Sequence, residues 1–222
     1  MKHLLILPFE SNFIVPNRLF VTLENAELLV RKGEDVSLVY CDGNPINMCW
    51  INTKCDKWMC RICNHYRKSM FAGLSSSIKL IPIHDFFHSS LKDYNHLSFQ
   101  YNSNADIKKI TYKNVKIGYA ALSSYISPTR NMYPLFDEAF RQHFDATLKA
   151  TAITTDIFLA ALDHCQPDQV GIFNSRFTVS RPIYETCKHK GINVMVYETT
   201  GNVVNNRRLT YFYNNTPHGI VY

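Results

Sequence analysis

Twice along this chain an apolar strand is followed by an amphipathic helix and then a second apolar strand, and no other feature restricts the possible folds as strongly. The first unit reads as a strand from His3 to Phe9, a helix with Leu19, Leu23, Ala26, Leu29 and Val30 on one face, a stop at Gly33, and a strand from Asp35 to Cys41. The second reads as a strand from Gln169 to Asn174, a helix from Val179 to Lys190 ended by Gly191, and a strand from Asn193 to Glu198. Such units bury apolar strands beneath helices. The expected fold class is α/β: a Rossmann-like, open, mainly parallel sheet with helices on both faces.

The rest of the chain is fitted around that frame. Residues Ser77 to Ile83 give a further strand, and a long helix is expected from Pro134 to Cys165. Its buried stripe is Phe136, Phe140, Phe144, Leu148, Ile153, Ile157 and Leu162. Residues 42–66 are rich in Cys, Asn and Trp and read as a small folded insertion. The polar stretch from His84 to Lys116 and the end from Thr199 to Tyr222 give no clear element. With 222 residues and no linker or repeat, one domain spanning 1–222 is expected.

Net charge is +6, which favours anionic partners, but the basic residues are scattered and form no run. Nucleic acid is therefore not an expected partner. The apolar start, Leu4 to Phe9, is too short for a signal core, and no stretch reaches the length of a membrane span. A cytoplasmic location follows, with peripheral association at the inner membrane surface as an extension.

In open α/β sheets, ligands bind beyond the carboxyl ends of the strands. Those ends supply Glu10 and Asn12 after the first strand, Asp42 after the second, Asn174 and Arg176 with Arg181 after the fourth, and Glu198 on the fifth. An arginine near a helix N-terminus suits phosphate or carboxylate. A carboxylate leaving a strand suits a general base. Glu198 is the expected base, with Asp42 in reserve, and His218 lies in a further loop. Glycine-rich dinucleotide loops, Walker loops, G-x-S-x-G elbows and Asp-x-Asp pairs are all missing, which argues against dehydrogenase, kinase and serine-hydrolase chemistry.

Five of the seven cysteines fall between Cys41 and Cys63. Cys60-Arg61-Ile62-Cys63 has the spacing that lets two thiolates reach one tetrahedral ion. Cys41 and Cys49 would complete a structural zinc site, with Cys55 or His65 as substitutes. An iron–sulfur cluster, an oxidised pair or packed thiols are the other readings.

These segments together resemble the N-terminal part of bacterial surface-carbohydrate and capsular-polysaccharide biosynthesis proteins, glycosyltransferases of the two-Rossmann-domain (GT-B) type. The resemblance is carried by Val39-Tyr40-Cys41-Asp42-Gly43 with Cys49, Asn52, Cys60 and Cys63, by Ile117-Gly118-Tyr119 to Ser123-Ser124, by Phe173-Asn174-Ser175-Arg176 with Arg181, by Tyr197-Glu198, and by Asn214 to His218. Ser175 and the run Glu198-Thr199-Thr200-Gly201 depart from the asparagine–glycine–arginine and glutamate–arginine–glycine of that pattern. The resemblance implies transfer of a sugar from a nucleotide sugar to a polysaccharide or lipid-linked acceptor, with no cofactor needed for the chemistry. It also implies that this chain is the acceptor-side half, its donor-binding domain lying beyond Tyr222. The alternative is a non-catalytic Rossmann-like module that binds a nucleotide or sugar and is stabilised by a cysteine-bound metal.

Overall fold

Leu4 to Ile6 of the first strand and Leu7 just past it are at most 3% exposed, so apolar cover lies on both faces of the strand. The computed structural model describes residues 1–7, 16–43, 49, 56–87, 91–204 and 207–213. Strand β1 (Lys2–Ile6) pairs in parallel with β2 (Asp35–Tyr40) on one side and with β4 (Gln169–Phe173) on the other. Strand β3 (Lys79–Pro82) extends the sheet beyond β2, and β5 (Asn193–Val204) extends it beyond β4. Strand β6 (Arg207–Tyr213) adds an antiparallel edge, giving the order β3-β2-β1-β4-β5-β6. Five parallel strands in this order form the expected Rossmann-like sheet.

Side-chain alternation divides the interior into two cores. Leu5, Leu7, Val36 and Leu38 pack with Leu19, Leu23 and Ala26 of α1 (Pro16–Arg31). Leu4, Ile6, Val39, Val170, Ile172, Val194 and Val196 face the opposite layer. That layer holds α4 (Ile117–Thr129), α5 (Glu138–Cys165) and α6 (Ser180–Lys190).

Within the expected insertion at 42–66, residues 57–66 are helical, and 44–48 and 50–55 lie outside the described residues. The helical part belongs to α2 (Lys57–Phe71), the helix that carries the chain from β2 across to β3. Cysteines and a tryptophan hid an ordinary crossover helix, whose Tyr66, Met70 and Phe71 pack on the α1-side core.

Helix α5 starts four residues later than its apolar pattern suggests, because the Asp137 side chain accepts from the Phe140 amide at 2.8 Å and caps it there. Its stripe is otherwise as expected: Phe140, Phe144, Leu148, Ile153, Ile157 and Leu162 are all buried. The polar face of α5 organises the stretch from His84 to Lys116, which contains two short 3-10 turns (Ile83–Phe86 and Leu91–Tyr94) and α3 (Asn104–Lys109). Asp156 accepts from the Tyr94 and Tyr112 hydroxyls at 2.7 and 2.9 Å and pairs with Lys113 at 2.7 Å. Asp145 accepts from Tyr101 at 2.8 Å, and Arg141 donates to the Tyr101 carbonyl at 2.9 Å. Among the described residues, no helix is long and apolar enough to cross a membrane.

Candidate functional site

The strand order reverses between β1 and β4, and the crevice beyond the carboxyl ends of those two strands is where ligands bind in sheets of this kind. Asn174 follows the last residue of β4 and is 3% exposed. Its φ of 46° lies in the left-handed region, which asparagine enters more readily than most residues. This conformation ends β4 while the Asn174 amide still donates to the Tyr197 carbonyl at 3.1 Å.

The Asn174 side chain links two charged groups. Its Nδ2 donates to Glu198 Oε2 at 2.5 Å. Its Oδ1 accepts from the Arg176 amide at 3.1 Å and from Arg176 Nε at 3.3 Å. Three residues expected at the ligand edge, Asn174, Arg176 and Glu198, are thus brought together. Glu198 does not end its strand, since β5 runs on to Val204 and pairs Glu198 with Tyr211. It stands one residue past the last β4–β5 pair, Phe173 with Tyr197, at the level where the parallel sheet stops.

The neighbouring turn is closed from within. The Ser124 hydroxyl accepts from the Thr178 amide at 3.0 Å and lies 2.6 Å from the Thr178 hydroxyl, while the Phe177 amide donates to Ser180 Oγ. These bonds leave the Arg176 side chain, over the Phe177 ring at 5.4 Å, as the cationic element of the turn.

Arg181 is placed elsewhere. Its Nε meets Glu185 Oε1 at 2.5 Å in a largely buried pair, and its guanidinium covers the Tyr119 ring at 4.8 Å. Glu185 also accepts from the Lys116 amide at 2.6 Å, so the pair ties α6 to the start of α4. This side chain, expected to meet substrate, braces two helices.

Asp42 and Glu198 do not converge. The rows β2, β1, β4 and β5 separate them by three strand spacings, about 14 Å. Asp42 instead pairs through Oδ2 with His84 Nδ1 at 2.5 Å, and His84 Nε2 lies 3.1 Å from Asp85. His84 was missed by the sequence reading, although it stands two residues past β3 at the same sheet edge.

Arg18, on the first turn and a half of α1, was missed as well. It sits over the Phe173 ring at 4.7 Å, at the end of β4. Thr22, one turn on, meets the buried Tyr197 hydroxyl at 2.5 Å. Burial pushes the Tyr197 phenol well above its ordinary range, so it stays protonated and fixes α1 to β5. The spacing of Arg18 and Thr22 is the signal that could have revealed this face. Glu10, Asn12 and His218 lie outside the described residues.

The expected zinc site is corrected too. Among the described residues, no group of three or more His, Cys, Asp or Glu side chains is placed to hold a metal ion. The inner face of α2 instead sets Asn64 and the buried Arg67 against the end of β2. Asn64 donates to the Asp42 carbonyl at 2.6 Å, Arg67 bonds to Asn64, and its guanidinium lies 5.3 Å from the Tyr40 ring. Arg67 Nη1 lies 3.8 Å from Cys63 Sγ. Burial pushes the Cys41 thiol up to about 12, against thiolate formation. Cys55 lies outside the described residues.

No family model and no curated protein matches the sequence. Among solved structures, a CDPS (a cyclodipeptide synthase) from Fluoribacter dumoffii is similar, with a TM-score of 0.53 and 10% identity over 96% of this chain and 90% of that one. The expectation of a glycosyltransferase domain acting on nucleotide sugars is corrected by this finding, since the similar structure is a synthase of another class. What the likeness shows for this chain is its fold alone: an α/β, Rossmann-like sheet.

Proposed function

We propose that this chain is an amide-forming acyl-transfer enzyme, acting on activated amino acids in the manner that its structural neighbour's name describes. A cyclodipeptide synthase joins two amino acids through two amide bonds. Each bond needs an amine to attack an activated acyl carbon, a base to take the amine proton, and a cation to meet the charge that develops on the carbonyl oxygen.

The observation that carries the reading is the chain Arg176–Asn174–Glu198 at the crevice between β1 and β4. Glu198 Oε2 is held by Asn174, which orients the carboxylate as a proton acceptor. Arg176 is fixed through Nε, and its terminal amino groups are those that would face an oxyanion. With an amino acid activated as an ester, the amine nitrogen bonds to the carbonyl carbon and the carbon–oxygen ester bond breaks. Glu198 takes the amine proton and passes it to the departing alcohol oxygen.

The test is product detection. A bacterial host expressing the chain is compared with an empty-vector host by mass spectrometry of the culture medium. Enrichment of one or a few cyclic dipeptides is the expected result. Folded, soluble protein with no enriched cyclic dipeptide would remove the proposal.

A further inference from the structure

Helix α2 carries Lys57, Arg61 and Lys68 on its solvent side and contains no acidic residue. On the same exposed surface lie Trp58, 60% exposed, and Ile62, 44% exposed, one helical turn apart. A solvent-facing tryptophan and isoleucine set among cations have no role in the core that α2 covers with Tyr66, Met70 and Phe71. We infer that α2 docks this protein on an anionic lipid surface, with Trp58 and Ile62 entering the headgroup boundary while Lys57, Arg61 and Lys68 meet the phosphates.

The charge pattern selects this occupant. Anionic lipid headgroups attract the three cations, and the apolar pair gains by leaving water at the acyl boundary, where tryptophan is favoured. A nucleic acid would use the cations but gain nothing from Ile62. A second apolar projection has the same character: Met132, Tyr133 and Leu135, between α4 and α5, are 48%, 86% and 79% exposed beside the exposed Arg130. The beginning of α2 and this projection lie toward the carboxyl end of the sheet, on its opposite layers. Helix α2 follows the end of β2, and α5 runs back to the start of β4, so its beginning lies at the opposite end.

Co-sedimentation with phosphatidylcholine vesicles, with and without added phosphatidylglycerol, tests the inference on the full chain. Binding is expected only with the anionic lipid and should weaken as salt is raised. The double variant Trp58→Ala, Ile62→Ala should bind roughly tenfold more weakly. Lys57→Gln, Arg61→Gln and Lys68→Gln should each lose about fivefold. All five side chains are exposed, so thermal melts of the variants should match the parent. In a Trp50→Phe background, the Trp58 emission should shift to the blue on vesicle addition. Absence of vesicle binding, or binding unchanged in the α2 variants, would overturn the inference. So would preference for a single-stranded RNA oligonucleotide that is lost in the same charge variants.

Discussion

Replacing Asn174 separates the two things this residue does for the site. It holds a left-handed backbone, and it bonds to both Glu198 and Arg176. In Asn174→Ala the bond to the Glu198 carboxylate is lost, worth about 2 kcal/mol for a charged acceptor, together with the bonds from Arg176, worth about 1 kcal/mol. Alanine at φ 46° adds about 1 kcal/mol of backbone strain. The expected destabilisation is therefore about 4 kcal/mol. Asn174→Gly loses the same side-chain bonds but accepts the backbone, so it should cost about 3 kcal/mol. Urea denaturation followed by circular dichroism at neutral pH measures both. A glycine variant as stable as the parent would show that the Asn174 bonds contribute nothing. Equal losses for glycine and alanine would refute the strain argument.

Gly118 in α4 offers a second test. A Cβ there would lie 1.8 Å from the Ile107 carbonyl oxygen, a backbone atom that cannot swing aside, so Gly118→Ala should cost about 3 kcal/mol despite alanine's helix preference, as read by a thermal melt. Arg181→Met leaves Glu185 buried without its cation and should lower stability by about 3 kcal/mol in the same assay. Alkaline stability is a fourth: burial, then the hydrogen bond to Asp156, raises Tyr112 above its ordinary 10.0, and the Asp156 bond raises Lys113 above 10.5. A raised folded pKa contributes stability that is complete below the unfolded value and lost as pH rises through the folded one, so the urea midpoint should fall above about pH 10, less steeply in Asp156→Asn. Thiol labelling is a fifth: burial pushes Cys187 up to about 12, as it does Cys41, so both should resist iodoacetamide at pH 8 in the folded protein, as read by peptide mass spectrometry.

The sheet was legible because its signals are local. Leu4 to Leu7 and Val170 to Phe173 are short apolar runs bounded by breakers, and Gly33 and Gly191 mark where the intervening helices stop. The stretch from His84 to Lys116 was not legible, because Asp145, Asp156 and Arg141 organise it from 40 to 62 residues away. No sequence window contains both halves of such a contact. The helix α2 was obscured for a different reason: the Cys60–Cys63 spacing suits a metal and also places two residues on one helical face. The buried Arg67, four residues after Cys63, was the cue that decides between them. At the site, the end of β4 and the expected end of β5 marked Asn174, Arg176 and Glu198, although β5 runs on to Val204, whereas the separation of Asp42 from them depends on strand order. Strand order is set by the crossovers, which the sequence pattern leaves open. The broader functional expectation rested on a resemblance of short segments, and the structural comparison led away from it.

The central claim is that the chemistry lies at the end of β4 beside Glu198 of β5, and not at the Asp42–His84 pair about 14 Å away. Glu198→Gln and Asp42→Asn, made in the same background and compared for product formation at matched protein levels, test it most directly. The account predicts that Glu198→Gln lowers the rate by roughly a hundredfold or more, while Asp42→Asn stays within about tenfold of the parent. Full activity in Glu198→Gln, with loss confined to Asp42→Asn, would contradict it.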